Sequence, residues 1–371
     1  MRRPSWREAT LFAGALVAAL GACEVATRVL GIAPVVHRVG LGEPQSAFRL
    51  SPNPILGWEL KPGHRDASPD CSISFPYVNA DGLRDREHTV EKPAGRLRIA
   101  VIGDSVVLGL GLCALDELIA PTLERVLGRS DVEVLGVGMT GYNTRAEVEL
   151  LRTKVLKYAP DLVVLVFVDN DFQSLSDYVP GVMMEGPRPL EWLVVRSALV
   201  RTVAVSLGWY TFGAEADRDF LAERQRRALQ NEGRTDSAVD EGLAELAALA
   251  RTHDFGVFVV VWPRFHHDDI GDGPADPEVP DRLLIESVAQ RHGLPSGRVS
   301  PAFRCDLATQ PPPRDPMEIY ARDGLHPTHL GVEVGVRALA ALLEAAGAWR
   351  PPLARNLATP APLTCAPGRG G

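Results

Sequence analysis

No two of the five cysteines in this 371-residue chain stand in a C-x-x-C or Cys/His spacing, so the sequence offers no zinc or dithiol framework. A basic surplus is also missing. The 39 Lys and Arg against 47 Asp and Glu leave a net charge of -8, which argues against the phosphate neutralisation that general nucleic-acid binding depends on. No G-x-S-x-G surrounds Ser105, and no G-x-G-x-x-G follows the first strand-like run, because Gly109 and Gly111 come too late and lack a third glycine. The nucleophile elbow of one hydrolase class and the dinucleotide fingerprint are thereby removed. No internal repeat is present either.

What the chain does have is an apolar content of 46% with 23% charged residues, the composition of a protein with a sizeable core. Arg2, Arg3 and Arg7 precede an apolar run from Leu11 to Cys23, so the basic flank stays cytoplasmic and the body follows across the membrane. Continued through Glu24, Val25, Ala26, Arg28, Val29 and Leu30, this helix reaches about 36 Å, enough to span a hydrocarbon core of about 30 Å. It reads as an uncleaved single anchor in the cytoplasmic membrane, with the body of the chain extracytoplasmic. A lipoprotein signal ending in Leu20-Gly21-Ala22-Cys23 is the second reading, and a cleaved signal peptide the third. With Cys23 in the membrane segment, Cys71, Cys113, Cys305 and Cys365 remain, an even number that permits disulfides without fixing their connectivity. A Cys305–Cys365 bridge would tie the proline-rich end to the body.

The chain divides into a membrane segment (1–32), an extension with short strands (33–95), a main domain (96–349) and a flexible Pro/Gly-rich tail (350–371). Within the extension, "ILGWEL" and "SISFPYV" read as edge strands. From Leu97 onward, continuous apolar runs (Arg98–Gly103, Asp131–Gly138, Asp161–Val168, Phe255–Trp262) alternate with amphipathic helices, which implies a parallel sheet covered on both faces. Thr144 and Glu147 have capping-box spacing at the start of one helix. An insertion, 173–237, reads as helices added beside the sheet; Arg196 and Arg201 in its apolar half favour a buried or membrane-surface helix over a span. "FHHDDIGD" (265–272) reads as a solvated loop rather than a metal site, and His329 as a helix-start residue.

Ligands of such sheets collect outside the carboxyl ends of the strands. Ser105 follows the first strand, Gly141 the second and Asn170 the third, while Asp323 and His326 precede a late apolar helix. A serine hydroxyl needs a base to take its proton; His326 can serve, with Asp323 fixing the tautomer and stabilising the imidazolium. The Ser105 and Gly141 amides and the Asn170 side chain would form the oxyanion hole. Asp104 and Asp171 read as loop-ordering carboxylates.

Gly103-Asp104-Ser105, the glycine of "TGYNT", Asn170-Asp171 and Asp323-x-x-His326 together resemble the four blocks of the GDSL or SGNH hydrolases. The likeness runs from about Arg98 to Trp349, and "GWELKPG" and "VNADGLRDRE" resemble the extension of membrane-anchored bacterial members. Three positions depart from the pattern: Val106 where many members carry leucine, Val168 where glycine is common, and Gly136 where asparagine is frequent. The resemblance implies a three-layer α/β/α flavodoxin-like sandwich with a helical insertion and an N-terminal membrane helix. It also implies a cofactor-free serine esterase acting on an acyl ester through an acyl-serine, with O-acylated cell-surface carbohydrate suiting the location. The same site could serve an O-acyltransferase. From a different class, a catalytically silent binding or assembly protein could use the insertion as its partner surface.

Overall fold

The computed structural model describes residues 5–30, 32, 46–172 apart from 54 and 73, 191–207, 209, 238–271, 278–350 apart from 313, and 356–365. They fall into two compact units. One joins the N-terminal helix to the helices of the insertion, and the other contains the sheet.

In the second unit, strands β3 (Leu97–Gly103), β4 (Val132–Gly138), β5 (Leu162–Phe167), β6 (Gly256–Val261) and β7 (Ser296–Arg298) form one sheet in the order β4-β3-β5-β6-β7. Every pairing is parallel. Counted within the sheet this order is 2-1-3-4-5, the flavodoxin-like winding, which puts its switch point between β3 and β5. Strands of this kind are buried on both faces and need apolar residues at every position. Ile99, Val101, Val134, Val164 and Val260 point into one core, shared with Ile119 and Leu123 of helix Ile119–Leu127, Phe303 of Ser300–Leu307, and Val332, Val336 and Leu339 of His329–Ala346. Their alternates Ala100, Ile102, Leu135, Val163 and Val259 are equally buried and face the opposite side. Helix Thr144–Leu150 packs there against Ala238–His253, which packs against Pro280–Arg291. The result is a three-layer α/β/α sandwich.

Several details differ from the sequence reading. "ILGWEL" supplies β2 (Trp58–Leu60), but β2 pairs antiparallel with β1 (Phe48–Leu50) in a separate two-stranded sheet and is no edge of the main one. "SISFPYV" forms only an isolated bridge, Arg65 to Tyr77. The stretch from Phe265 is not a solvated loop: Phe265 is fully buried, edge-on to Phe303 at 4.9 Å between centroids, and Asp269 and Ile270 are also buried. The described helices of the insertion, Glu191–Arg196 and Ala198–Ser206, belong to the unit of the N-terminal helix, where Glu24 accepts the amides that start the second of them. The remainder of 173–237 lies outside the described residues.

The tail is fixed where it is described. Ala358 N–H donates to Ala346 O at 3.1 Å, Leu357 and Leu363 rest on the core, and Cys365 is bonded to Cys305. A second disulfide joins Cys71 of the extension to Cys113. The Cys305–Cys365 bridge spans 60 residues, for which chain entropy gives a stabilisation of about 4 kcal/mol. Urea unfolding of the C305S/C365S variant of the full chain is expected to show a loss approaching that size. A loss below about 1 kcal/mol would mean that the tail adds no constraint.

Candidate active site

Because β4, β3 and β5 are neighbours, the loops after Gly138, Gly103 and Phe167 share one carboxyl edge of the sheet. Gly103 and Gly138 face each other in register. A Cβ on Gly138 would lie 2.0 Å from Leu108 N, so only glycine lets the turn after β3 lie over β4. That turn is the short helix Ser105–Leu108, and Asp104 caps it by accepting Val106 N–H at 2.8 Å.

Ser105 is buried at the first position of this helix. Its Oγ lies 2.8 Å from His326 Nε2, and His326 Nδ1 lies 2.6 Å from Asp323 Oδ2. A carboxylate can only accept, so Nδ1 carries the proton, and Nε2 is left as acceptor for the serine hydroxyl. Asp323 Oδ1 accepts the amides of Leu325 (3.2 Å) and His326 (3.0 Å), which shapes the loop so that carboxylate and imidazole meet. Burial alone would raise the Asp323 pKa. The hydrogen bonds from the His326 ring and these two amides outweigh it and hold the carboxyl well below the usual range.

The loop itself is held from both ends. Arg322 N–H donates to His326 O at 2.9 Å, and Phe265 N–H donates to Gly324 O at 2.8 Å. Thr328 caps helix His329–Ala346 through Gly331 N–H and donates its hydroxyl to Ile319 O. His329 is the first residue of that helix.

In the loop after β5, Asn170 Nδ2 donates to Asp104 Oδ2 at 2.9 Å. An amide nitrogen carries two hydrogens, so this bond orients the group and leaves one hydrogen to give. Gly141 adopts φ +71°, a left-handed turn open to glycine, and the turn is braced from the extension. Trp58 Nε1 donates to Thr140 O at 3.0 Å, Tyr142 hydroxyl donates to Trp58 O, and the two rings meet edge-on.

Residues that the sequence reading passed over support the nucleophile turn. Buried Arg84 donates to Leu108 O (2.8 Å), Gly109 O (2.7 Å), Leu112 O and Cys113 O, the carbonyls that end the turn. Its guanidinium lies 4.3 Å over the Phe75 ring, and burial brings its pKa down to about 10, so it stays charged at neutral pH. "GLRDRE" drew attention only as part of a family-like stretch; nothing in its spacing distinguishes Arg84. Gly136, one of the departures, gives its amide to Asp85 Oδ2 at 2.7 Å.

The expected capping box at Thr144 is absent. Asn143 is the cap, accepting Ala146 N–H at 3.1 Å. Glu147 is fully buried, and neither carboxyl oxygen has a hydrogen-bond partner among the described residues. Burial first, then Asp171 and Asp104, push its pKa well above the carboxylate range; Asp171, buried and bonded by Thr144 Oγ1 at 3.3 Å, is raised in the same way. Among the described residues no group of three or more His, Cys, Asp or Glu side chains is arranged to hold a metal ion.

No family model matches the chain. No curated protein matches it either. Among solved structures it is similar to a lipase/acylhydrolase from Enterococcus faecalis: 18% identity over 67% of this chain and 95% of that one, TM-score 0.37. An acetyl xylan esterase matches at 14% identity over 66% of this chain and 98% of that one, TM-score 0.40. A protein described as a GDSL-like lipase, from Parabacteroides merdae, matches at 11% identity over 70% and 99%, TM-score 0.39.

Glu147 also generates a pH signature. Its folded pKa is raised, so its contribution to stability is fully present below the unfolded value of about 4.3 and is lost as pH rises. Glu147→Gln removes that loss, and its melting temperature is expected to exceed the parent's at pH 8 by a margin that shrinks toward pH 5. A margin independent of pH would show that Glu147 does not enter the fold uncharged.

Proposed function

We propose that this protein is a serine esterase of SGNH type, working through an acyl-serine, with Ser105 as nucleophile, His326 as general base and Asp323 as its orienting carboxylate. The observation that carries the reading is the unbroken chain from Ser105 Oγ through His326 Nε2 and Nδ1 to Asp323 Oδ2, at 2.8 and 2.6 Å. As Ser105 Oγ attacks the ester carbonyl carbon, its proton passes to Nε2 and the carbonyl oxygen becomes an oxyanion. The Ser105 and Gly141 amides and the second hydrogen of Asn170 receive that charge. Collapse of the tetrahedral adduct expels the alcohol, which takes the proton from the imidazolium. A water or sugar hydroxyl, deprotonated by His326, then releases the acyl group, giving hydrolysis or transfer. No step calls for a cofactor.

The N-terminal helix Trp6–Val29 is long and apolar enough to cross a membrane, and none of its most apolar window is buried. On this reading it anchors the chain to the cytoplasmic membrane with the site outside, where O-acylated cell-surface carbohydrate is the substrate class that suits the location.

A fluorophosphonate probe added to the full chain in detergent is expected to label Ser105, and Ser105→Ala to lose both label and turnover of a small acetyl ester. Folded parent protein that takes no label would favour a silent binding module. Asn170→Ala is expected to lower ester turnover by about 100-fold or more. Because Asn170 also bonds buried Asp104, thermal unfolding should be measured alongside: near-normal turnover with a large stability loss would remove Asn170 from the oxyanion hole.

A further inference from the structure

The unit that joins the N-terminal helix to the insertion carries an arrangement that the proposed chemistry does not use. Glu24, about five turns or about 27 Å along the N-terminal helix from Trp6, is bonded to the start of helix Ala198–Ser206. Its carboxylate accepts Ser197 Oγ at 2.7 Å, Ala198 N–H at 3.0 Å and Leu199 N–H at 2.8 Å. One turn on, Arg28 bonds Glu24 at 2.6 Å and donates to Arg196 O at 2.7 Å, the carbonyl that ends helix Glu191–Arg196. Two charged side chains of one helix thus complete the facing ends of two others. These bonds satisfy backbone groups that water would otherwise have to reach.

The two short helices are apolar on more than their inner side. Val194, Ala198 and Ala204 are buried, whereas Trp192, Leu193, Val203, Leu207 and Trp209 stand exposed. Val203 and Leu207 are four apart, so they share a face. The Arg196 guanidinium lies 4.8 Å over the Trp192 ring, a pairing of aromatic and cation that suits the level of lipid headgroups. The helix that holds this patch is itself exposed and apolar at Leu11, Phe12, Leu16, Val17 and Leu20. If Trp6 sits at one boundary of a hydrocarbon core of about 30 Å, Glu24 sits at the other. The patch therefore begins where the span ends.

We infer that helices Glu191–Arg196 and Ala198–Ser206 lie in the outer interface of the same membrane, as a collar clasped by Glu24 and Arg28, with Trp192, Leu193, Val203, Leu207 and Trp209 in the lipid. This rests on the reading of Trp6–Val29 as the anchor. Aliphatic and tryptophan side chains bury into the acyl boundary while exposed Arg196 reaches the headgroups, as in helices that lie along a bilayer surface. The level is the same if the chain is instead held by an acylated Cys23, one residue before Glu24. The collar would add a second attachment to the anchor, and two attachments hold a chain at a bilayer far better than one.

The test uses the full chain in phosphatidylcholine vesicles, with Trp6→Phe as background. Trp58 and Trp262 are buried, so Trp192 and Trp209 are the strongly exposed tryptophans that remain. Lipids brominated near the headgroup end of the acyl chain are expected to quench the Trp6→Phe protein, and W192F/W209F to reduce that quenching at least threefold. Glu24→Ala, which removes the clasp, is expected to reduce it at least twofold while the protein still floats with the vesicles. Protein that floats but shows no quenching attributable to Trp192 and Trp209 would overturn the collar and leave the anchor standing. Protein that does not float would overturn the anchor and the collar with it. Emission from these tryptophans that follows the protein-to-lipid ratio and ignores bromination would assign the face to a second copy of the chain.

Discussion

Asp104 is completely buried, and the donors that compensate its lost hydration are parts of the candidate site, the Val106 amide and the Asn170 side chain, while Ser105 Oγ, whose hydrogen points to His326, lies 3.2 Å away. An unpaired carboxylate in that position would cost several kcal/mol. The residue after β3, the first turn of helix Ser105–Leu108 and the loop after β5 therefore cannot be placed independently. One carboxylate thus couples Ser105 to Asn170, the proposed oxyanion donor.

The sheet supplies the edge on which these loops meet, but the loops are held from outside it. The extension reaches the nucleophile turn through Arg84 and through the Cys71–Cys113 disulfide, and it reaches the Gly141 turn through Trp58. A helix of four residues leaves almost all of its carbonyls without intrahelical donors, and Arg84 supplies donors to two of those that end it. The extension is thus part of the site's support. The late loop has a counterpart in the aromatic group of Phe265, Phe303 and Tyr320, onto which the segment before Asp323 folds.

Four of the five sheet strands were legible because parallel strands buried on both faces need runs such as "RIAVIG" and "DLVVLVFV" that few other elements tolerate. β7 was not: Ser296, Gly297 and Arg298 lie at the sheet's edge and carry no apolar signal. The order of the site residues along the chain was equally readable, since each follows a strand or precedes a long helix. Support by Arg84, Trp58 and Glu24 was hidden, because each acts on a partner far away in sequence and spacing records only near neighbours. Thr144 and Glu147 show the reverse error. A spacing that permits a capping box gives no information on whether the side chain turns outward to the backbone or inward to the core, and here burial prevailed.

The two carboxylates next to the serine and its base occupy opposite environments. Asp323 is 55% exposed in its side chain and held ionised by hydrogen bonds, whereas Asp104 is sealed and its pKa is raised, chiefly by burial. Environments that drive two titratable groups apart divide their roles. In the proposed mechanism, negative charge at Asp323 would stabilise the imidazolium that forms as the serine gives up its proton. In that mechanism, full charge at Asp104, which is bonded to Asn170, would instead oppose the negative charge that develops on the carbonyl oxygen. The raised Asp104 pKa, and the Val106 and Asn170 donors that share its charge, would lower that opposition. Openness at one carboxylate and enclosure at the other would thus place negative charge on the side of Ser105 where the proposed proton transfer calls for it.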